Sequence, residues 1–161
     1  MNKLYLKFDH PQSMEQMMEV WKYYQELFDK YVNEWENLRH LEKGERYLSD
    51  DFIIISADYT RIFSEREDLS ELQREECCLS ILKILEKVSN LSPYNFDIKL
   101  RLMYFCDNLN YYDRLLSVFE TMDIKAVQFE TVGYWMIKSM INYDLWESQE
   151  STLVRMVRSY Q

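Results

Sequence analysis

Glycine and proline are scarce in this chain of 161 residues: Gly44, Gly133, Pro11 and Pro93 are all there are. Phosphate-cradling loops and dinucleotide folds need clustered glycines so that backbone can approach the ligand, and neither can be built here. The two histidines, His10 and His40, stand far in sequence from the three cysteines, Cys77, Cys78 and Cys106, so no zinc-ligand spacing arises. An odd cysteine count with two adjacent residues does not make a secreted disulfide framework; reduced thiols in a cytoplasmic protein are the expected state. No stretch approaches the roughly 20 apolar residues of a membrane span, and the charged Met1–His10 segment lacks the apolar core of a signal peptide. Metal, cofactor and membrane are therefore not expected. Basic charge is the remaining deficit: 19 Lys and Arg against 28 Asp and Glu leave a formal net charge of −9. Such a surface repels phosphate backbones, which argues against direct nucleic-acid binding. It reads first as ordinary solubility and second as an acidic surface for a basic partner.

What the chain does have is apolar bulk arranged at helical spacing. Hydrophobic residues make up 47% and aromatics 16%, enough to exclude disorder and, at this length, to bury roughly 70% of the unfolded surface. Residues 1–10 form a short tail. The first helix is expected from about Gln12 to Leu41, opened by Ser13 and Gln16 at capping-box spacing. Its Met17, Trp21, Tyr24, Phe28, Tyr31, Trp35 and Leu38 step by four and three, as in a heptad seam. Met18, Val20, Leu27 and Val32 widen that seam into the band of a helix facing more than one neighbour. Bulky aromatics suit an irregular helical stack better than a two-stranded coil. Gly44 supplies the stop.

Ser49-Asp50-Asp51 opens a second helix, with acidic side chains at its positive end. The run Phe52-Ile53-Ile54-Ile55 has strand character alone, but Ala57, Ile62 and Phe63 continue it as a helix. After a charged loop at Glu65–Asp68, Ser70 and Gln73 repeat the capping-box spacing and start a third helix to about Asn90. Pro93 ends this pattern, because it lacks an N–H and clashes with the preceding turn, and Asn95 is placed to cap a fourth helix to about Asn108. A turn at Asn108–Asn110 leads to a fifth helix, Tyr111 to about Thr121, with Leu115, Leu116, Phe119 and Met122 on one side. A connector at Asp123–Val127, a sixth helix over about Gln128–Asn142 and a last one over about Ser148–Tyr160 complete the chain. The expectation is an all-α fold: one degenerate, tetratricopeptide-like helical-repeat domain over residues 1–161, an α-solenoid segment of six or seven helices. Phe119 falls where such repeats place an aromatic, whereas Leu115 replaces the usual small residue and a second proline is missing.

No catalytic site is expected. Asp50-Asp51 and Glu75-Glu76 are adjacent on helices and point apart, so they do not converge as acid–base catalysis requires; helix termini and solvated faces account for them. Cys77-Cys78 reads as a small apolar filler. Tyr23-Tyr24 and Tyr111-Tyr112 are candidates for a peptide groove or, more simply, for core packing with the hydroxyl at the surface. Stacked amphipathic helices of this kind are expected to leave no cavity for bond-making.

The segment Leu91–Tyr134 carries a more specific pattern: Ser92-Pro93-Tyr94-Asn95 followed by Lys99-Leu100-Arg101-Leu102, then Val118-Phe119-Glu120-Thr121-Met122, then Asp123-Ile124-Lys125 with Gln128, Thr131, Gly133 and Tyr134. This order resembles the auxiliary, non-catalytic subunit of the NatB N-terminal acetyltransferase complex, and a weaker likeness runs from about Gly44 to Trp146. The resemblance implies a helical-repeat scaffold that wraps a NatB-type catalytic subunit and, through the complex, reaches the ribosome. There the complex acetylates nascent chains starting Met-Asp, Met-Glu, Met-Asn or Met-Gln, in the cytoplasm. The acetyl-CoA chemistry belongs to the partner, and this chain lacks the glycine-containing pyrophosphate loop of the common acetyltransferase fold. It is far shorter than the family's members, which reads as a fragment or shortened relative of a longer solenoid. Asp123, Lys125, Gln128, Thr131 and Tyr134 are the candidate partner-contact or turn-fixing residues. The alternative is an independent helical-repeat adaptor that binds a protein or peptide with no link to acetylation.

Overall fold

A computed structural model describes residues 11–31, 45–122 and 132–142. All regular structure among them is helical: α1 (Met14–Tyr31), α2 (Asp50–Ser64), α3 (Glu71–Leu91), α4 (Phe96–Asn108), α5 (Tyr112–Glu120) and α6 (Tyr134–Asn142). No strand occurs among these residues. The expected tail at 1–10, the rest of the first helix to Leu41, the Gly44 stop, the 123–127 connector, the beginning of the sixth helix and the last helix lie outside the described residues. The chain divides into two compact units, Met1–Tyr111 and Tyr112–Gln161.

In the first unit, each helix packs on the next, and α2 also packs on α4. Neighbour plus next-neighbour contact is the pattern of a helical repeat, in which the first helix of one pair touches the first helix of the following pair. It also explains the Phe52–Ile55 run. With α1, α3 and α4 against it, α2 has almost no solvent side, and Phe52, Ile53, Ile54, Ile55, Ala57, Tyr59 and Phe63 are all buried. A helix surrounded in this way is apolar on most of its circumference.

On α1 the seam positions Met17, Trp21, Tyr24 and Phe28 are buried, as is Val20, while Met18 is 59% exposed. Met18 therefore lies off the apolar band that it was expected to widen with Val20, Leu27 and Val32. Trp21 Nε1 donates to Thr60 Oγ1 of α2 at 2.7 Å, and that hydroxyl donates to the Ser56 carbonyl at 2.8 Å. A buried indole N–H needs such an acceptor. Tyr24 is fully buried, stacked on Tyr59 at 6.3 Å between ring centroids. Its hydroxyl is inside the core and not at the surface where the sequence placed it. Filling the interface with rings this large makes α1 costly to detach: truncating Phe28 to Ala is expected to cost about 3–5 kcal/mol.

The helix ends follow local sequence closely. Ser70 accepts from the Gln73 N–H at 3.3 Å while Gln73 Oε1 accepts from the Ser70 N–H at 3.0 Å, a complete capping box. Asn95 Oδ1 accepts from the N–H groups of Asp97 and Ile98 at 3.0 and 3.2 Å. At α1 the Ser13 hydroxyl accepts from Gln16 N–H at 3.2 Å, but the Gln16 side chain reaches back one residue further, to Gln12 N–H at 2.7 Å. The α4 terminus closes with Tyr111 N–H on the Cys106 carbonyl at 2.8 Å and Asn110 N–H on Asp107 at 3.1 Å. Asn110 takes φ of 59°, the left-handed conformation that asparagine tolerates at this position of a helix end.

In the second unit, α5 buries Leu115, Val118 and Phe119, with Met122 buried just beyond it. Leu116, expected on the same side, is half-buried. Val132 and Gly133 form a π-type turn leading into α6, and both are buried, as is Met136. A Cβ-less residue at a buried helix start permits close approach of neighbouring atoms.

Candidate functional site

Two features of the first unit bring polar side chains together across helices. One is a pin between the start of α2 and the turn joining α3 to α4. Asp50 is fully buried, and its Oδ2 accepts from the Ser92 hydroxyl at 2.5 Å and from Asn95 Nδ2 at 2.7 Å. Ser92 and Asn95 are themselves buried. Asn95 thus acts with both ends: its oxygen caps α4 and its amide holds Asp50. The sequence reading placed Asp50 at a solvated helix terminus, and the structure overturns this. Ser49 makes no side-chain cap. Instead, the first N–H groups of α2 are satisfied by tight i→i+3 bonds from Asp50, Asp51 and Phe52 to the carbonyls of Tyr47, Leu48 and Ser49, which frees Asp50 to turn inward. Around the rim, Arg46 reaches Asp51 at 3.6 Å and Asp97 at 3.3 Å. One turn further along, Arg101 holds Asp58 through two nitrogens at 2.9 and 3.1 Å, a bidentate tie between α4 and α2.

The second feature is a cleft of about 470 Å³ where the C-terminal ends of α2 and α4 meet the beginning of α3. The expectation from the sequence concerned bond-making cavities and did not anticipate a surface cleft at this end of the stack. Glu65, Glu71, Arg74, Glu75, Tyr104 and Leu109 line it, with Cys78 at its inner wall. Glu65 Oε1 accepts from Arg61 and from the Tyr104 hydroxyl, each at 3.1 Å. Burial and the Glu65 charge push the Tyr104 phenol up to about 12. Arg74 is occupied by backbone: its Nη2 donates to the Arg66 carbonyl at 2.7 Å and its Nε to that of Leu69 at 3.3 Å.

Neither feature assembles a nucleophile with a base. Burial, then the neighbouring Cys78 and Glu76, push the Cys77 thiol up to about 12, and burial raises Cys78 as well. Protonated, enclosed thiols are poor nucleophiles, in keeping with their reading as apolar filler; Cys106 is also buried. Lys99 is buried and its pKa is lowered by that burial. Among the described residues no group of His, Cys, Asp and Glu could hold a metal ion, and no helix is long and apolar enough to cross a membrane.

Of the residues singled out from the sequence, Asp123, Lys125, Gln128 and Thr131 lie outside the described residues. Tyr134 opens α6 and is 68% exposed. The family profile described as the N-acetyltransferase B complex (NatB) non catalytic subunit matches residues 3–161. The chain belongs to that family. The match takes in the N-terminal helix and the C-terminal segment, beyond the Gly44–Trp146 span over which the sequence pattern carried the likeness. No curated protein and no solved structure gives a match. Membership in the NatB non-catalytic subunit family makes this chain an auxiliary component of an acetyltransferase complex, and its all-helical, neighbour-stacked unit is the fold such a component was expected to have.

Proposed function

We propose that this chain scaffolds a NatB-type catalytic subunit, and that the complex acts co-translationally at the ribosome, in the cytoplasm, on chains beginning Met-Asp, Met-Glu, Met-Asn or Met-Gln. The observation that carries the reading is the family match over residues 3–161. Its physical support is the stack itself. Repeated helix pairs make extended surfaces suited to holding another protein. Tyr134, exposed at the start of α6, together with Asp123, Lys125, Gln128 and Thr131, is proposed to contact the partner or to fix the turn that presents it.

The test is co-expression with a NatB-type catalytic subunit followed by gel filtration. Co-elution in a stoichiometric complex, weakened by Tyr134→Ala, is the expected result. Failure to associate, even when further helical repeats of a family member are supplied, would overturn the reading in favour of an adaptor unconnected with acetylation.

A further inference from the structure

The lining of the cleft at the α2–α3–α4 end carries more negative than positive charge, Glu65, Glu71 and Glu75 against Arg74. The C-terminal ends of α2 and α4 both border it, and each brings the partial negative charge of its terminal carbonyls. The positive N-terminal end of α3 is already answered by the Ser70–Gln73 capping box and by Glu71 in its first turn. Glu75, one turn on, adds a second carboxylate on the same side of α3, where like charges four residues apart repel. Neither Glu71 nor Glu75 has an ion pair among the described residues. The cleft's own cation, Arg74, is turned toward backbone, with Nη2 on the Arg66 carbonyl and Nε on that of Leu69. Glu65 is held in place by Arg61 and Tyr104. Beside the carboxylates stand apolar surfaces, the Tyr104 ring and Leu109. An aliphatic stem could lie along these while its charged head meets the carboxylates.

We propose that this cleft is a docking site for a lysine or arginine side chain presented by a basic peptide segment of a protein partner. Three things fit that occupant: a volume of about 470 Å³, enough for a long side chain with its flanking backbone; carboxylates at the rim; and an apolar wall for the stem. The net charge of −9 steers a basic segment toward the chain, and the cleft supplies the place where it is held. The inference does not depend on the acetyltransferase reading and is tested without the catalytic subunit.

The experiment is fluorescence anisotropy of a labelled peptide alternating Arg or Lys with Gly, titrated with the full chain at physiological salt. Glu75→Gln, and Glu71→Gln with Glu75→Gln, are compared with Glu19→Gln plus Glu26→Gln, an equal charge change on exposed positions of α1. Circular dichroism confirms that each variant is folded. The double cleft variant is expected to weaken binding about tenfold, the single Glu75→Gln by less, and the α1 control hardly at all. Equal weakening by the cleft and α1 variants would show attraction to net charge alone and overturn the proposal, as would the absence of binding by the unmodified chain.

Discussion

The two ends of α3 are joined to their neighbours by opposite means. At its start, the loop from α2 is held on the surface: Arg66 grips Asp68 at 2.6 and 2.9 Å and donates to the Pro11 carbonyl at 2.9 Å, while Arg74 ties down two loop carbonyls. At its end, the turn into α4 is held from inside by the fully buried Asp50 through Ser92 and Asn95. Surface ion pairs exchange one well-solvated state for another and contribute little. A buried carboxylate with two buried donors has no such alternative, because losing it leaves both donors without solvent or partner. The first junction can therefore vary at small cost to the stack, whereas the second fixes how the α2–α3 pair hands over to α4.

Breaking the inner junction should give the largest effect. Asp50→Ala leaves the Ser92 hydroxyl and Asn95 amide unsatisfied in the core and is expected to lower unfolding free energy by about 3–5 kcal/mol, read by urea denaturation. Hydrogen exchange in the same variant should speed up at the Asp97 and Ile98 amides, whose Asn95 cap has lost its anchor. A loss no larger than that of a surface substitution would erase the contrast.

Ser70→Ala, at the outer junction, removes one half of a capping box on an exposed residue and should cost about 1 kcal/mol. Asp68→Ala should leave the denaturation midpoint unchanged within error, although burial-opposed hydrogen bonding to Arg66 holds its carboxyl below the usual range. The pair is too exposed to convert that shift into stability.

How much of this was legible in the sequence depended on the range of each interaction. Ser70 with Gln73, and Asn95 with its two amides, act within three residues, so spacing alone revealed them. Pro93 announced the turn for the same reason. The Phe52–Ile55 run was legible as helix from the residues following it, and its burial on nearly all sides followed from the neighbours α2 acquires. Asp50 was not legible: its partners lie 42 and 45 residues away, and beside Asp51 it looked like one more helix-terminal acid. The cleft was hidden because it is made of the ends of three helices, each of which has an ordinary cap when read alone.

A smaller, pH-dependent effect would sharpen the comparison at the outer end of α3. The folded chain holds the Cys77 proton up to about 12, against 9.0 for the ordinary thiol, and the Tyr104 proton up to about 12, against 10.0. The unfolded chain releases both sooner. Stability from these groups is complete below pH 9 and is lost as pH rises toward 12. Denaturation midpoints measured across that window should fall, and should fall less for Tyr104→Phe.

The central claim is that this chain serves acetylation without performing it. Acetyl transfer from labelled acetyl-CoA to Met-Asp and Met-Glu peptides tests this most directly, with the chain alone, a NatB-type catalytic subunit alone, and the two together. The account predicts no turnover by the chain alone and a higher rate for the mixture than for the catalytic subunit by itself. Turnover by the purified chain alone, or a mixture no faster than the catalytic subunit, would contradict it.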